Sequence, residues 1–151
     1  MLGRGSVNIG AHHSDATPLC QKKFYKIQVV HPLINRAAQS HTELLLASTP
    51  PYRRALLSRL HVPFRCEAPR VDETPFPGEQ PVDLALRLAR QKARAVAGEN
   101  PRALVIGSDQ VACVEGSVLG KPGDPVTAAS QLRASSGKPV RFYTGLALIG
   151  D

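Results

Sequence analysis

Residues 43–60 read ELLLASTPPYRRALLSRL, and the stretch changes character in its middle. Leu44-Leu45-Leu46-Ala47 is a short unbroken apolar run, the pattern of a buried strand. Ser48 and Thr49 then offer N-cap chemistry, and Pro50-Pro51 suits a first helical turn. A helix is predicted through Leu60, with Ala55, Leu56, Leu57 and Leu60 on its inner side. A hydroxyl pair and Arg53-Arg54 therefore follow a buried strand directly, and the rest of the chain decides what that means.

Downstream, VPFRCEAP (62–69) reads as a second strand. RVDETPFPGEQP (70–81) carries three prolines and a glycine, which marks an ordered loop or lid. The clearest helix is PVDLALRLARQKARAVA (81–97). Pro81 fits its first turn, Asp83 complements the positive end, and Gly98 is expected to end it. ALVIG (103–107) reads as a compact buried strand leading at once into Ser108-Asp109-Gln110. VACVEGSVLG suggests a hairpin turning at Glu115-Gly116. Asp124 is placed to cap a helix over 125–135 before Gly137, and VRFYTGLALIG (140–150) is the last strand. Strand, helix, strand, helix, strand, hairpin, helix, strand is the order of an α/β layered fold around a mixed sheet.

Upstream, residues 1–41 look different. Four of the five histidines lie there (His12, His13, His31, His41), and FYKIQVVHPLI (24–34) is the one strand-like run. The adjacent His12 and His13 lack partners at metal-ligand spacing and read as a solvated tail. The segment is expected to be a flexible extension or an upstream region wrongly included in the reading frame, with the domain beginning at residue 42.

The chain's 151 residues suffice for one domain, and with no Trp its core must be mainly Leu, Val and Ala. The net charge of +7 is uneven. Residues 1–41 hold five Lys/Arg against one acid, and residues 42–151 hold fourteen against eleven. The mildly basic remainder suits a small anionic ligand better than a nucleic-acid track, and no interleaved aromatics support nucleic-acid binding. Three widely spaced cysteines without a CxxC imply no disulfide framework and point to a reducing, cytoplasmic setting. No apolar run reaches bilayer length, and no apolar h-region follows Arg4.

In α/β sheets, ligands gather beyond the carboxyl ends of strands. Ser48-Thr49 and Ser108-Asp109 are both read at that position. Ser48 has a hydroxyl to donate, and Arg53 has a planar fork for phosphate oxygens, although GxxxxGK[ST] is absent. By itself this pattern is more often that of a capped helix with two solvated arginines. Asp109 is suited to hold a divalent metal or activate water, or else to cap a turn. Glu73, beside Asp72 in the Pro-rich loop, is suited to a cation or to solvent. Ala85, Leu88, Lys92 and Val96 form one helical stripe, which turns Lys92 inward, either snorkelling to the core's edge or toward a phosphate. Lys121 stands on a loop between Gly120 and Pro122, within reach of a phosphate or in solvent. Together, three cations, two acids and a hydroxyl are what hydrolysis of a nucleoside triphosphate requires.

LLLASTPPYRRALLSRL, VDETP, LRLARQKA, VIGSDQV, LGKP and SGKPVRFYTGLAL stand in an order and spacing that resembles the Maf family of nucleoside triphosphate pyrophosphatases. The similarity covers residues 43–150. It implies a Maf/ITPase-like layered fold, incomplete at the C-terminus because Asp151 falls well short of where members end. It also implies hydrolysis between the α- and β-phosphates with a divalent metal (Mg or Mn). Asp109 matches the family's general base. Ser48, Arg53, Lys92 and Lys121 match its phosphate positions, and Glu73 with Asp109 its metal positions. SDQ with an aromatic before Arg-Arg resembles the branch acting on 7-methyl-GTP, which makes Tyr52 and Gln110 the specificity candidates; the dTTP/UTP branch usually has Thr at position 110. The family's link to septum formation supplies the alternative of a non-catalytic nucleotide-binding regulator. Pro50 departs from the pattern, since many members have Ser there. Expected partners are a nucleoside triphosphate and no membrane; whether the chain forms a homodimer is left open.

Overall fold

A computed structural model describes residues 20–23 and 42–150. Its elements are β1 (Cys20–Lys23), β2 (Leu44–Ala47), α1 (Pro51–Ser58), β3 (Arg65–Glu67), α2 (Pro81–Glu99), β4 (Leu104–Val114), β5 (Ser117–Leu119), α3 (Pro125–Ser135) and β6 (Val140–Ile149). One six-stranded mixed sheet runs β1-β6-β4-β2-β3, with β5 paired to β4. β2 is parallel to both β3 and β4, whereas β4 and β6 are antiparallel. This is the layered α/β arrangement around a mixed sheet that the element order implies. The run 24–34 read as a strand lies outside the described residues, as do His12 and His13. Cys20–Lys23, within the segment read as an extension, pairs parallel with β6 from Cys20↔Val140 to Lys23↔Tyr143.

Strand alternation divides the core into two faces. On one, Leu45, Ala47 and Val105 pack with Ala93 and Val96 of α2. Further along α2, Leu84, Ala85 and Leu88 pack with Val111 and Tyr143. On the other face, Leu44, Leu46 and Ile106 pack with Leu57, Val62, Phe64, Leu146 and Leu148. The predicted stripe of α2 is the buried one, Lys92 included.

Five local expectations are corrected. Ser48 and Thr49 do not cap α1; its N-cap is Pro50, in extended conformation and without a side-chain cap bond. The helix stops at Ser58, and His61 just beyond adopts φ 54°, a turn that a continuing helix forbids. Only Leu57 of the predicted inner side joins the core, while Leu56 and Leu60 stand exposed because α1 touches the sheet along one narrow line. Gly98 does not end α2. The helix runs on to Glu99, because the Asn100 backbone N–H donates to Ala97 O (3.1 Å) and its side-chain Nδ2 to Val96 O (2.9 Å), satisfying the last carbonyls. The second strand shrinks to Arg65–Glu67. α3 begins as predicted, with the Asp124 carboxylate accepting from the Thr127 N–H at 2.9 Å.

Candidate functional site

The site begins where β2 leaves the sheet. Ser48 is buried, and its N–H donates back to Leu46 O (2.9 Å), which turns the chain toward α1. Pro50 and Pro51 supply no N–H, so the helix start presents fewer backbone donors than a cradle of that kind normally has. The side chains take over. Arg53 Nη1 donates to Ser48 Oγ at 3.1 Å, and Arg53 Nη2 lies 4.0 Å from Asp109 Oδ1. Arg54, the second arginine of the pair, is exposed.

Asp109 corrects the sequence expectation most directly. Ser108-Asp109-Gln110 does not follow the strand; it is the middle of β4, which continues to Val114. The ladder to β6 is unbroken from Val105↔Ile149 to Val114↔Val140, and this pairing holds polar residues extended that would otherwise favour a turn. Alternation then puts Asp109 on the α2 face, along with Val105, Gly107 and Val111.

Two glycines let α2 lie against the sheet there. A Cβ on Gly107 would stand 2.2 Å from Ala89 O, and one on Gly145 2.1 Å from Ala85 O. Gly145 is the cross-strand partner of Asp109. With no side chains in the way, the helix settles close enough for Lys92, only 5% exposed, to reach the strand. Lys92 Nζ donates to Asp109 Oδ1 at 2.6 Å and lies 2.6 Å from Glu73 Oε1. Lys121 Nζ donates to the other Glu73 oxygen, Oε2, at 2.8 Å.

Ser48, Arg53, Asp109, Lys92, Glu73 and Lys121 thus form one continuous polar chain. It runs from a floor to a mouth: the Lys92 side chain is 6% exposed, that of Glu73 40%, and that of Lys121 87%. Lys121 first, then Lys92, hold the Glu73 carboxyl far below the usual range, at about 2; Glu73 in turn raises Lys121. Glu73 is therefore fully ionised at neutral pH. Three cations face two carboxylates, so the cluster favours an anion.

The remaining predicted residues sit apart from this chain. Asp72 takes no part beside Glu73; its Oδ1 accepts from the Thr74 N–H (2.9 Å) and shapes the loop. The Tyr52 ring is half exposed, with the Arg53 guanidinium 5.2 Å from its centroid. Gln110 alternates to the sheet face opposite Asp109, the face that α1 covers, and its Nε2 donates to Thr144 Oγ1 at 2.9 Å. The pattern offered no sign of the supports, Gly107 and Gly145, whose roles depend on what approaches them in space.

Among the described residues, no group of three or more His, Cys, Asp or Glu forms a protein-only metal cage. Glu73 and Asp109, both 2.6 Å from the same ammonium, are instead two hard-oxygen carboxylates converging on one point. That donor set fits an Mg²⁺-type ion, which takes one or two carboxylates and completes its shell with water and phosphate.

A family model described as Maf-like protein matches residues 43–151, the whole span that holds this cluster. The chain belongs to the Maf-like family. Among similar proteins, this Maf-like chain is 58% identical over 108 residues to a 7-methyl-GTP pyrophosphatase of Pseudomonas syringae pv. tomato, a match covering 72% of this chain and 56% of the relative. It is 53% identical over 116 residues to the protein of that name from Nitrosococcus oceani, covering 77% and 58%. It is 55% identical over 105 residues to that of Ralstonia nicotianae, covering 70% and 54%. The Maf-like chain therefore spans a little over half the length of the curated relatives it matches. No helix among its described residues is long and apolar enough to cross a membrane.

Proposed function

We propose that this chain carries the phosphate- and metal-handling part of a nucleoside triphosphate pyrophosphatase whose preferred substrate is 7-methyl-GTP. The observation that carries the reading is the continuous chain from Ser48 to Lys121, with both carboxylates meeting on Lys92. The names of the relatives support the same reaction and the same base.

The triphosphate enters past Lys121. Lys121, Lys92 and Arg53 bind its oxygens, exchanging carboxylate partners for phosphate ones, and Ser48 Oγ donates beside Arg53. Glu73 and Asp109 would hold the divalent cation, Mg²⁺ or Mn²⁺, which offsets phosphate charge when bound. Asp109, on a rigid central strand, orients a water molecule and accepts its proton as the oxygen attacks the α-phosphorus. The bond from the α-phosphorus to the bridging oxygen breaks, and pyrophosphate leaves with its charge held by Lys92 and Lys121. On the base side, the exposed Tyr52 ring offers a π-face to a methylated, positively charged guanine, and Gln110 offers an amide.

A nucleotide panel tests the reading. Pyrophosphate release is expected from 7-methyl-GTP in preference to GTP and dTTP, and only with a divalent cation. A clear preference for dTTP overturns the base assignment, and release without any divalent cation overturns the metal role of Glu73 and Asp109.

A further inference from the structure

Glu73 belongs to residues 70–80, part of the irregular stretch between β3 and α2. Its contacts on the site side are Lys92 and Lys121. Both lysines are candidates to turn to an incoming phosphate, and Glu73 to a metal, so neither contact can keep the loop in place during turnover. A holding point outside the site is needed, and the structure contains one.

Arg87 lies on α2, five residues before Lys92. Its Nε donates to Glu79 Oε1 at 2.6 Å and its Nη2 to Glu79 Oε2 at 2.7 Å, a two-pronged pairing. Nη2 also donates to Thr74 O at 3.0 Å, one residue from Glu73. Nη1 donates to Gln91 Oε1 at 3.0 Å, which braces the guanidinium against its own helix. The guanidinium carbon stands 4.0 Å from the centroid of Phe76. Glu79 Oε2 accepts from the Phe76 N–H at 3.0 Å, and the Glu79 N–H donates to Phe76 O at 3.0 Å, which closes the turn. The Glu79 side chain is 8% exposed within a mostly exposed loop. One guanidinium therefore gathers Thr74, Phe76 and Glu79, and touches none of the six site residues.

We propose that Arg87 is a positioning residue: its clamp on Thr74, Phe76 and Glu79 fixes the 70–80 loop so that Glu73 faces Lys92 and the metal-phosphate opening whether or not a ligand is bound. This deepens the pyrophosphatase reading and rests on it for the role of Glu73. Holding an eleven-residue irregular segment is an entropic task, and a planar, five-donor side chain loses less freedom per bond than several separate contacts would.

The test compares the parent chain with Arg87→Gln, and with Arg87→Lys, which keeps the charge but not the fork. In ligand-free protein, hydrogen exchange across 70–80 is expected to speed up at least about tenfold in Arg87→Gln, with partial recovery in Arg87→Lys, while the α2 and β4 amides keep their protection. Unchanged exchange across the loop overturns the clamp, and so does a loss spread equally over α2 and β4, which would mark a merely structural arginine. In pyrophosphate release, the Mg²⁺ concentration for half-maximal rate is expected to rise roughly tenfold, with kcat at saturating Mg²⁺ nearly kept. An active variant with unchanged Mg²⁺ dependence overturns the link to Glu73. A parent that releases no pyrophosphate counts against the activity, and the exchange result still decides the clamp.

Discussion

Lys92 Nζ sits 2.6 Å from Asp109 Oδ1 and 2.6 Å from Glu73 Oε1, so one helical ammonium joins a central strand to a surface loop. Removing it leaves Asp109 as a buried carboxylate with its main partner gone. Lys92→Met is expected to lower the stability of the ligand-free protein by about 3 kcal/mol. Because a divalent cation suits the same two carboxylates, added Mg²⁺ should raise the melting temperature of the variant more than that of the parent. Thermal unfolding with and without Mg²⁺ measures both effects.

Asp109→Asn keeps the shape of the floor but removes the proton acceptor. Pyrophosphate release at saturating nucleotide should fall by roughly 10²- to 10⁴-fold. Binding of a non-hydrolysable triphosphate analogue, followed by calorimetry, should survive. Activity within a few-fold of the parent would assign the base elsewhere.

Gly107→Ala tests the close approach that delivers Lys92. The new methyl would meet the Ala89 carbonyl and the Ala93 backbone, neither of which is a flexible side-chain end. A destabilisation of about 3 kcal/mol is expected, read from the urea midpoint. A neutral effect would mean that α2 does not rest on β4 at this point.

The acid side of the stability profile follows from Glu73. Its folded-state pKa, about 2, lies below the ordinary 4.5, so its pairing with Lys121 and Lys92 stabilises the fold fully above pH 4.5. That contribution is lost as the pH falls through about 2. The urea midpoints of the parent and Glu73→Gln should therefore differ at neutral pH and converge on acidification, with a modest gap because this side chain is partly solvated.

Tyr52 supplies the test of base choice. With Arg53 near one part of its ring, the exposed remainder is available to a cationic base. Tyr52→Ala should cost roughly 3- to 30-fold in kcat/KM for 7-methyl-GTP relative to GTP. An equal loss for both nucleotides would make Tyr52 a support for Arg53 alone.

Much of the frame was legible because its elements carry strong periodicity and clear punctuation. The α2 stripe places Lys92 inward by geometry alone, and Asp124 and Pro125 mark the start of α3. What escaped the pattern was tertiary in origin. Ser108-Asp109-Gln110 has turn chemistry, yet β6 supplies a full ladder and keeps β4 straight. Leu56 and Leu60 have core chemistry, yet α1 meets the sheet only along Leu57. The Arg87 clamp joins residues 8 and 13 positions away through a loop whose path no period describes.

Among the described residues, β3 ends the sheet on one side and is only three residues long. Arg65 and Glu67 stand on it, with Arg65 paired to Glu43 (2.8 Å) and to Glu67 (3.4 Å). So brief a rim, studded with bound charges, gives a foreign extended chain little backbone to zip onto, and this border of the sheet is thereby guarded against templated fibril growth.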